Sequence, residues 1–316
     1  MSSGTSKPVG AIVDWLTFTV PVKKVQPDVE KRLSHFRALG QMTGDDYAVE
    51  AFRLLEIELV KAMNANYFEF AKLMNRLDVS LDRSKGRRHQ NIGMESELGF
   101  HAFGNAKMDY ASFEATGRGC GNLRAIAPDW INSFRGKEEK ITRIDIAVDI
   151  ITDTTPREFA HKVGSNRAAY GAQDSVTGST VYLGSKKSDR YVRVYRYNPP
   201  HPRSDKLRIE MVFRRKQCLS MMGSIFEHGL WEAALMAGQI YKFQHKDWTS
   251  LEGFDPDKEK VKAMPVEQRG QNTLMWFIRQ VLPAIERMEK EGIISRKDLV
   301  NQYILPSDKK APPKGQ

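Results

Sequence analysis

The stretch Ser179–Arg215, which reads STVYLGSKKSDRYVRVYRYNPPHPRSDKLRIEMVFRR, contains three short runs with the alternation of a β-strand. The runs are Thr180–Leu183, Arg190–Tyr197 and Leu207–Arg215. Alternating β-branched, aromatic and charged residues, bounded by Gly, Ser, Asp and Pro, predict half-buried strands joined by turns. Two of these neighbouring strands project tyrosines, arginines and one carboxylate from their polar faces: Tyr191, Arg193, Tyr195 and Tyr197, then Arg208, Glu210, Val212 and Arg214.

Positive charge is concentrated in the same region. The whole chain has a formal net charge of +10, and the segment Lys186–Lys216 has eleven basic and three acidic residues, a net charge of +8. Clustered positive charge interleaved with aromatic residues is typical of nucleic-acid binding. A solvated hairpin face has the same composition, so charge alone leaves both interpretations open.

The strongest strand signal is Ile141–Ile150, ITRIDIAVDI. Alternation places Ile144, Ile146, Val148 and Ile150 toward the core, and Arg143, Asp145 and Asp149 on the opposite face. Residues four apart on a strand are separated by about 13 Å at Cα, so one metal ion is better held by one of these acids together with Glu210. Oxygen ligands of this kind suit Mg²⁺ or Mn²⁺. The alternative is that the acids balance the charge of Arg143 on a solvent-facing strand.

Tyr195 is the candidate nucleophile. A free tyrosine has a pKa of about 10, so it attacks phosphorus only where cations stabilise the phenolate. Arg193 shares its face, and Lys186 and Lys187 approach it from the preceding turn. The alternative is a packing or base-stacking tyrosine. The sequence has no Walker A motif and no His or Cys metal spacing, which leaves no visible ATPase or zinc site.

The order of strand and helix signals along the chain predicts an α+β domain rich in strands, followed by a helical C-terminal part. We expect a flexible arm at residues 1–10, a catalytic domain at 11–216, a helical region at 217–306 and a disordered tail at 307–316. Two cysteines and no apolar N-terminal region predict a cytoplasmic protein. No run of about 18 apolar residues occurs, so no membrane span is expected.

Local patterns add further elements. Ala11–Val20, Met94–Phe103 and Tyr110–Ala115 are predicted to be strands. The segments Gln26–Leu39, Ala48–Leu77, Thr154–Val163, Cys218–Ile240 and Asn272–Lys290 are predicted to be helical. We expect a basic loop at Asp82–Gln90, DRSKGRRHQ, and a helix at Leu123–Phe134 after a cluster of three glycines, GRGCG.

Six segments resemble motifs of the replication initiation factor (Rep_trans) family, and they occur in the family's order. They read DWLTFT (14–19), FEATGRGC (113–120), TRIDIAVD (142–149), YLGSKKSDR (182–190), RVY (193–195) and RIE (208–210). The family includes rolling-circle initiators of plasmids and filamentous phages and relaxases of conjugative elements. The resemblance ends near residue 216.

The resemblance implies a rolling-circle initiator-like nuclease fold, with a central antiparallel sheet flanked by helices. It also implies a DNA strand nickase and joiner. Its tyrosine would be Tyr195, supported by Arg193, linked to a 5′ phosphate while a free 3′ hydroxyl primes synthesis. A divalent metal, Mg²⁺ or Mn²⁺, would be held by Asp145, Asp149 and Glu210. Residues expected at the DNA are Lys186, Lys187, Arg190, Tyr191, Tyr197 and Arg208.

The expected partners are origin DNA, single-stranded at the nick, a helicase and a polymerase of the bacterial host, and a second copy of the chain. The family's acidic residue and lysine after the tyrosine are replaced here by Arg196 and Tyr197. This departure makes Tyr197 a rival nucleophile. Two alternatives stay open: a non-catalytic DNA-binding regulator on the same scaffold, and a metal-dependent nuclease that uses water.

Overall fold

The computed structural model describes residues 7–40, 44–87, 90–107, 109–161, 170–175, 178–196, 206–255, 285–286 and 289–292. The chain divides into two compact units, Met1–Ala263 and Met264–Gln316. In the second unit the Gly292 N–H donates to the Glu289 carbonyl (3.1 Å). The predicted arm up to residue 6, most of the predicted helix Asn272–Lys290 and the predicted tail lie outside the described residues.

The described part of the first unit contains ten strands in one sheet. They are β1 (Lys7–Pro21), β2 (Asp82–Arg87), β3 (Gln90–Glu95), β4 (Phe100–Gly104), β5 (Tyr110–Ala115), β6 (Ile141–Ile151), β7 (Tyr170–Ser175), β8 (Gly178–Leu183), β9 (Arg190–Arg196) and β10 (Lys206–Arg214). The order across the sheet is β2-β3-β4-β5-β1-β6-β10-β9-β8-β7. Every neighbouring pair is antiparallel.

Helices accompany the sheet in the same unit. They are α1 (Gln26–Ala38), α2 (Gly44–Asn66), α3 (Phe68–Arg76), α4 (Gly117–Ile126), α5 (Pro156–His161), α6 (Lys216–His228), α7 (Leu230–Ile240) and α8 (Lys246–Thr249), with 3₁₀ turns at Trp130–Phe134 and Glu138–Lys140. The α+β prediction, a central antiparallel sheet flanked by helices, is confirmed. In the described part of the chain, no helix is both long and apolar enough to cross a membrane.

Strand β1 is central because it pairs with both β5 and β6. Its apolar side chains Leu16, Phe18 and Val20 are fully buried. The ring of Phe18 lies at the middle of an aromatic cluster. Its partners, at centroid distances of 4.8–5.4 Å, are Tyr67, Phe70, Phe113 and Phe134. This cluster joins α3, the residue that precedes it (Tyr67) and the Trp130–Phe134 turn to one face of the sheet.

Strand β6 is buried on both faces. Ile144, Ile146, Val148 and Ile150 belong to the hydrophobic core, as their alternation predicts. Asp145 and Asp149, on the opposite face, are also buried, at 0% and 8% exposure. The polar face is therefore not the solvent-facing surface that one interpretation of the sequence required.

Two predictions around β2 and β3 were wrong. Asp82–Gln90, expected as a loop, contains β2 and the start of β3. Strand β2 is at the edge of the sheet, where charged side chains are common because they discourage pairing with other chains. Met94–Phe103, expected as one strand, is divided between β3 and β4 by a turn in which the Gly99 N–H donates to the Ser96 carbonyl (2.9 Å).

The helix expected at Leu123–Phe134 was also misplaced. It begins at Gly117 and ends at Ile126, two residues before Pro128. The glycines permit close contact rather than a loop, because a Cβ at Gly119 would lie 2.6 Å from the carbonyl oxygen of Gly99. Gly99 itself has φ +89°, which favours glycine. The helix thus starts directly against the turn between β3 and β4.

Helices α6 and α7 follow β10 and replace the single helical segment predicted at Cys218–Ile240. The chain turns between them at Gly229, the C-cap of α6, which has a φ of +85°. The inward face of α7 packs on the short helix α8. Gly238 lies against the ring of Trp248, which is fully buried.

We expect Gly238→Ala to destabilise the protein by about 1–3 kcal/mol or more, because overpacking a filled core forces side chains out of place. A Cβ at Gly238 would lie 2.1 Å from the Trp248 ring. Gly223 in α6 is the matched control, since a Cβ there meets nothing within 4 Å. Gly223→Ala should be neutral or stabilising by up to about 1 kcal/mol. Urea unfolding of both variants measures the difference, and equal stability would contradict this packing.

Candidate active site

The six motif segments lie on six adjacent strands of the sheet, although they are dispersed between residues 14 and 210 of the sequence. In sheet order, β5, β1, β6, β10, β9 and β8 carry, respectively, the start of FEATGRGC, DWLTFT, TRIDIAVD, RIE, RVY and the start of YLGSKKSDR. The rest of FEATGRGC leads into helix α4. The chain therefore brings together segments that the sequence separates by up to about 200 residues. This convergence places the predicted site at the middle of the sheet.

Strand register aligns the polar side chains on one face. Arg193 of β9 pairs with Glu210 of β10, and Tyr195 pairs with Arg208. Glu210 pairs with Ala147 of β6, midway between the two aspartates of that strand. We call this set the charged face: Asp14, Arg143, Asp145, Asp149, Arg193, Tyr195, Arg208 and Glu210.

One half of the charged face is a chain of ion pairs. Arg143 donates Nε and Nη2 to the two oxygens of Asp145 (2.8 and 2.5 Å). Arg193 donates Nη2 to the Glu210 Oε1 atom and approaches Asp145 Oδ2 at 3.4 Å. Arg193 thus connects the two fully buried carboxylates.

The other half is centred on Arg208. Its Nε and Nη2 donate to the two oxygens of Asp149 (2.7 and 2.8 Å), and its Nη1 donates to Asp14 Oδ1 (2.9 Å). Burial lowers the pKa of this guanidinium, but the hydrogen bond with Asp149 and the charge of Asp14 outweigh burial and raise the pKa above its ordinary value. Arg208, predicted to bind DNA, is only 4% exposed and is bound to two carboxylates.

Asp14 joins the charged face through an irregularity in β1. The register against β6 shifts between Val13 and Trp15, which inserts Asp14 as an extra residue. Simple alternation would direct Asp14 to the same face as Leu16, into the core. Bulges of this kind redirect a side chain, and they are frequent beside active sites. The sequence analysis assigned no role to Asp14 because nothing in the run AIVDWLTFTV marks the bulge.

Tyr195 lies between the two halves. Its hydroxyl donates to Glu210 Oε2 (2.9 Å), so Tyr195 and Arg193 bind different oxygens of one carboxylate. Burial raises the pKa of the phenol, and the carboxylate of Asp14 raises it further, while Arg208 and Arg193 oppose the increase. The resting side chain is therefore a neutral phenol with a carboxylate acceptor already in place.

The three acids predicted as metal ligands share one face, but their oxygens are bound by the chain's own donors. Asp145 accepts from Arg143, Asp149 from Arg208, and Glu210 from Arg193 and Tyr195. Within the residues that the structure describes, no three His, Cys, Asp or Glu side chains are arranged to hold a metal ion. The acids in this arrangement do not fit a divalent metal site.

The remaining predicted residues differ in their positions. Lys186 and Lys187 are exposed in the turn between β8 and β9, and Lys186 Nζ lies 3.8 Å from the ring centre of Tyr182. Tyr191 is buried, and its hydroxyl accepts from Arg214 (3.4 Å). Arg190, half-buried at the start of β9, is opposite Phe213 in the register and so lies on the other face of the sheet. Tyr197, the rival nucleophile, lies outside the described residues.

Comparison with solved structures finds similarity to the rolling circle replication initiator protein from Geobacillus stearothermophilus. The two chains share 16% sequence identity with a TM-score of 0.48, over 84% of this chain and 95% of the other. No protein-family model matches the chain, and no curated protein matches its sequence. Similarity at this level does not decide a function, which has to be inferred from the contacts of the site itself.

The buried ion pairs of the charged face lead to a stability prediction. Arg208→Met should lower the free energy of unfolding by about 3–5 kcal/mol, because it leaves two carboxylates without a buried partner. Arg215→Met is the matched control. Arg215 pairs with Asp189 at the surface (2.9 Å; side chains 76% and 41% exposed), where a pair contributes about 1 kcal/mol or less. Denaturant unfolding of both variants checks this, and equal losses would show that the Arg208 pairs contribute little.

Proposed function

We propose that this chain nicks and rejoins one strand of DNA through a covalent tyrosine intermediate, as a rolling-circle replication initiator. The observation that carries the proposal is the contact of the Tyr195 hydroxyl with Glu210, in a cluster that also contains Arg193 and Arg208. A nucleophile, a proton acceptor and cations within one cluster are the requirements of nucleophilic attack on a phosphodiester. The convergence of the six motif segments on this cluster supports the same function.

The covalent step transfers a phosphoryl group without net hydrolysis. Tyr195 Oη attacks the phosphorus, its proton passes to Glu210, and the bond from phosphorus to the 3′ oxygen breaks. The 3′ oxygen takes a proton from water and becomes a free hydroxyl, while the 5′ phosphate stays on the tyrosine. Because the pKa of Tyr195 is raised, the proton has to leave as the new bond forms.

Rejoining is the reverse reaction. A 3′ hydroxyl attacks the phosphotyrosine and gives its proton back to water, the bond from phosphorus to Tyr195 Oη breaks, and the tyrosine oxygen recovers its proton from Glu210. The energy of the broken bond is kept in the phosphotyrosine, so neither step needs ATP. This agrees with the absence of a Walker A motif from the sequence. Arg193, at the surface of the cluster, neutralises charge on the phosphate during both steps.

The partners follow from this reaction as further parts of the proposal. Origin DNA has to be single-stranded at the nick for the phosphodiester to reach Tyr195. Lys186 and Lys187, exposed in the turn before β9, supply positive charge for the flanking phosphates. A helicase and a polymerase of the host would then use the free 3′ end. Dimerisation and a requirement for Mg²⁺ or Mn²⁺ remain predictions from the family resemblance.

The nucleophile is tested on supercoiled plasmid carrying the origin of the encoding element, with Mg²⁺, Mn²⁺ or EDTA. Wild type should give nicked circles with protein on the 5′ end. Tyr195→Phe should lower adduct formation by about three orders of magnitude or more, because the ring remains but the attacking oxygen is lost. Tyr110→Phe is the control, since Tyr110 is exposed at the start of β5.

The same assay separates the alternatives. An adduct that survives in Tyr195→Phe and disappears in Tyr197→Phe would identify Tyr197 as the nucleophile. Nicking without an adduct would favour water, and binding without nicking by wild type would favour a DNA-binding regulator. The comparison of Mg²⁺ and Mn²⁺ with EDTA measures the metal requirement directly.

Glu210→Gln tests the proton acceptor. The amide keeps the shape of the side chain but cannot take the phenol proton, so adduct formation should fall by about 10²–10⁴-fold. Nicking that continues in Glu210→Gln without an adduct would show that water attacks the phosphodiester once the acceptor is lost. A folded Glu210→Gln protein with normal adduct formation would show that the proton goes elsewhere.

A further inference from the structure

The buried acids and the arginines of the charged face form two layers. The side chains of Asp145 and Glu210 are 0% exposed, whereas those of Arg143 and Arg193 are 22% and 29% exposed. An anion that approaches from solvent therefore meets guanidinium groups before it meets carboxylates. Carboxylates beneath the arginines fix their position by charge-assisted hydrogen bonds.

Arg193 has an unused donor in this arrangement. Its Nε is buried and has no hydrogen-bond partner among the described residues. Buried donors are normally satisfied, and an unsatisfied one at a candidate site is evidence of a missing partner. A guanidinium has five N–H donors, so Arg193 can keep its bond to Glu210 and also bind an anion.

A third arginine stands beside these two. Arg214 of β10 is directly opposite Arg143 of β6 in the strand register, and both are on the same face as Asp145. Like charges directly opposite each other on neighbouring strands are destabilising unless something neutralises them. The charges of all three arginines act on the same buried carboxylate, that of Asp145.

We propose that Arg143, Arg193 and Arg214 form the site of the scissile phosphate, and that Asp145 and Glu210 are its buried anchors. The inference rests on the proposed function for the identity of the anion, a DNA phosphodiester. The position suits the reaction, because Arg193 and Tyr195 bind the two oxygens of Glu210. A phosphate on Arg193 thus lies next to the attacking hydroxyl.

The anchor role and the metal-ligand role of Asp145 predict opposite effects on DNA binding in EDTA. If Asp145 only holds a metal, its replacement by Asn removes a negative charge near DNA, and binding without metal is unchanged or stronger. If Asp145 anchors Arg143 and Arg193, the same change leaves these two arginines less firmly positioned for the phosphate. Binding without metal then becomes weaker.

The experiment measures fluorescence anisotropy of a short labelled single-stranded oligodeoxythymidine in EDTA over a range of salt concentrations, with the full chain. Asp145→Asn should weaken binding about tenfold, the value of one charge-assisted contact. Arg143→Gln should weaken it similarly and reduce the slope of log K against log salt by about 0.7. Asp189→Asn is the control, because it removes an exposed carboxylate that pairs with Arg215 and should not weaken binding.

Adding Asp145→Asn to a double variant tests directly whether Asp145 acts through the two arginines. In an Arg143→Gln/Arg193→Gln background, Asp145→Asn should have little further effect on binding, because the arginines that it positions are gone. Folded Asp145→Asn that binds as well as wild type or better would overturn the proposal. If Asp145→Asn fails to fold, Arg143→Gln with unchanged affinity and salt slope would overturn it equally.

The result of this DNA-binding experiment does not depend on whether the protein nicks DNA. Wild type that binds as expected but never forms an adduct would refute the tyrosine nickase and leave the phosphate site in place. Wild type that forms the adduct while Arg143→Gln and Asp145→Asn bind normally would refute the phosphate site alone.

Discussion

The interaction on which this structure depends is the pairing of buried carboxylates with arginines at the middle of the sheet. Asp145 and Glu210 are fully buried on strands whose other face is the hydrophobic core. Burying a carboxylate without a partner costs several kcal/mol, so the strands that supply the arginines have to be correctly registered beside β6. The ion pairs therefore stabilise one register of β6, β9 and β10. A slip by one residue is disfavoured, because it would move the charged side chains of the slipped strand to the core face.

The fold class and the central strands could be predicted from the sequence because strand alternation is a local property. Ile141–Ile150 and the three runs of Ser179–Arg215 differ from the observed strands by two residues at most. The parity of these runs also put Arg193, Tyr195 and Glu210 on polar faces, which the structure confirms. The predicted role of each residue stays a prediction, since no ligand or activity tests it.

Other features could not be predicted because they depend on contacts between distant segments. The glycines of GRGCG resemble a loop, yet Gly119 allows a helix to touch Gly99. The bulge at Asp14 is visible only in its register against β6. The arginine that binds each acid could not be predicted from the sequence either. Sequence patterns suggest carboxylates for a metal, whereas the structure shows each of them bound by an arginine from its own or a neighbouring strand.

The position of β1 in the sheet has a consequence for how the protein forms during synthesis. This strand is made first, yet its partner β6 lies more than 100 residues later, and β10 completes the ion pairs of β6 near residue 210. Pairings so distant in sequence form slowly, because a long loop has to close before any contact compensates for its lost entropy. A growing chain thus exposes the acids of β6 before their arginines on β9 and β10 exist. Tyr195 gains its hydrogen-bond acceptor, Glu210, only when nearly the whole sheet is assembled, so a chain that ends before β10 lacks this contact.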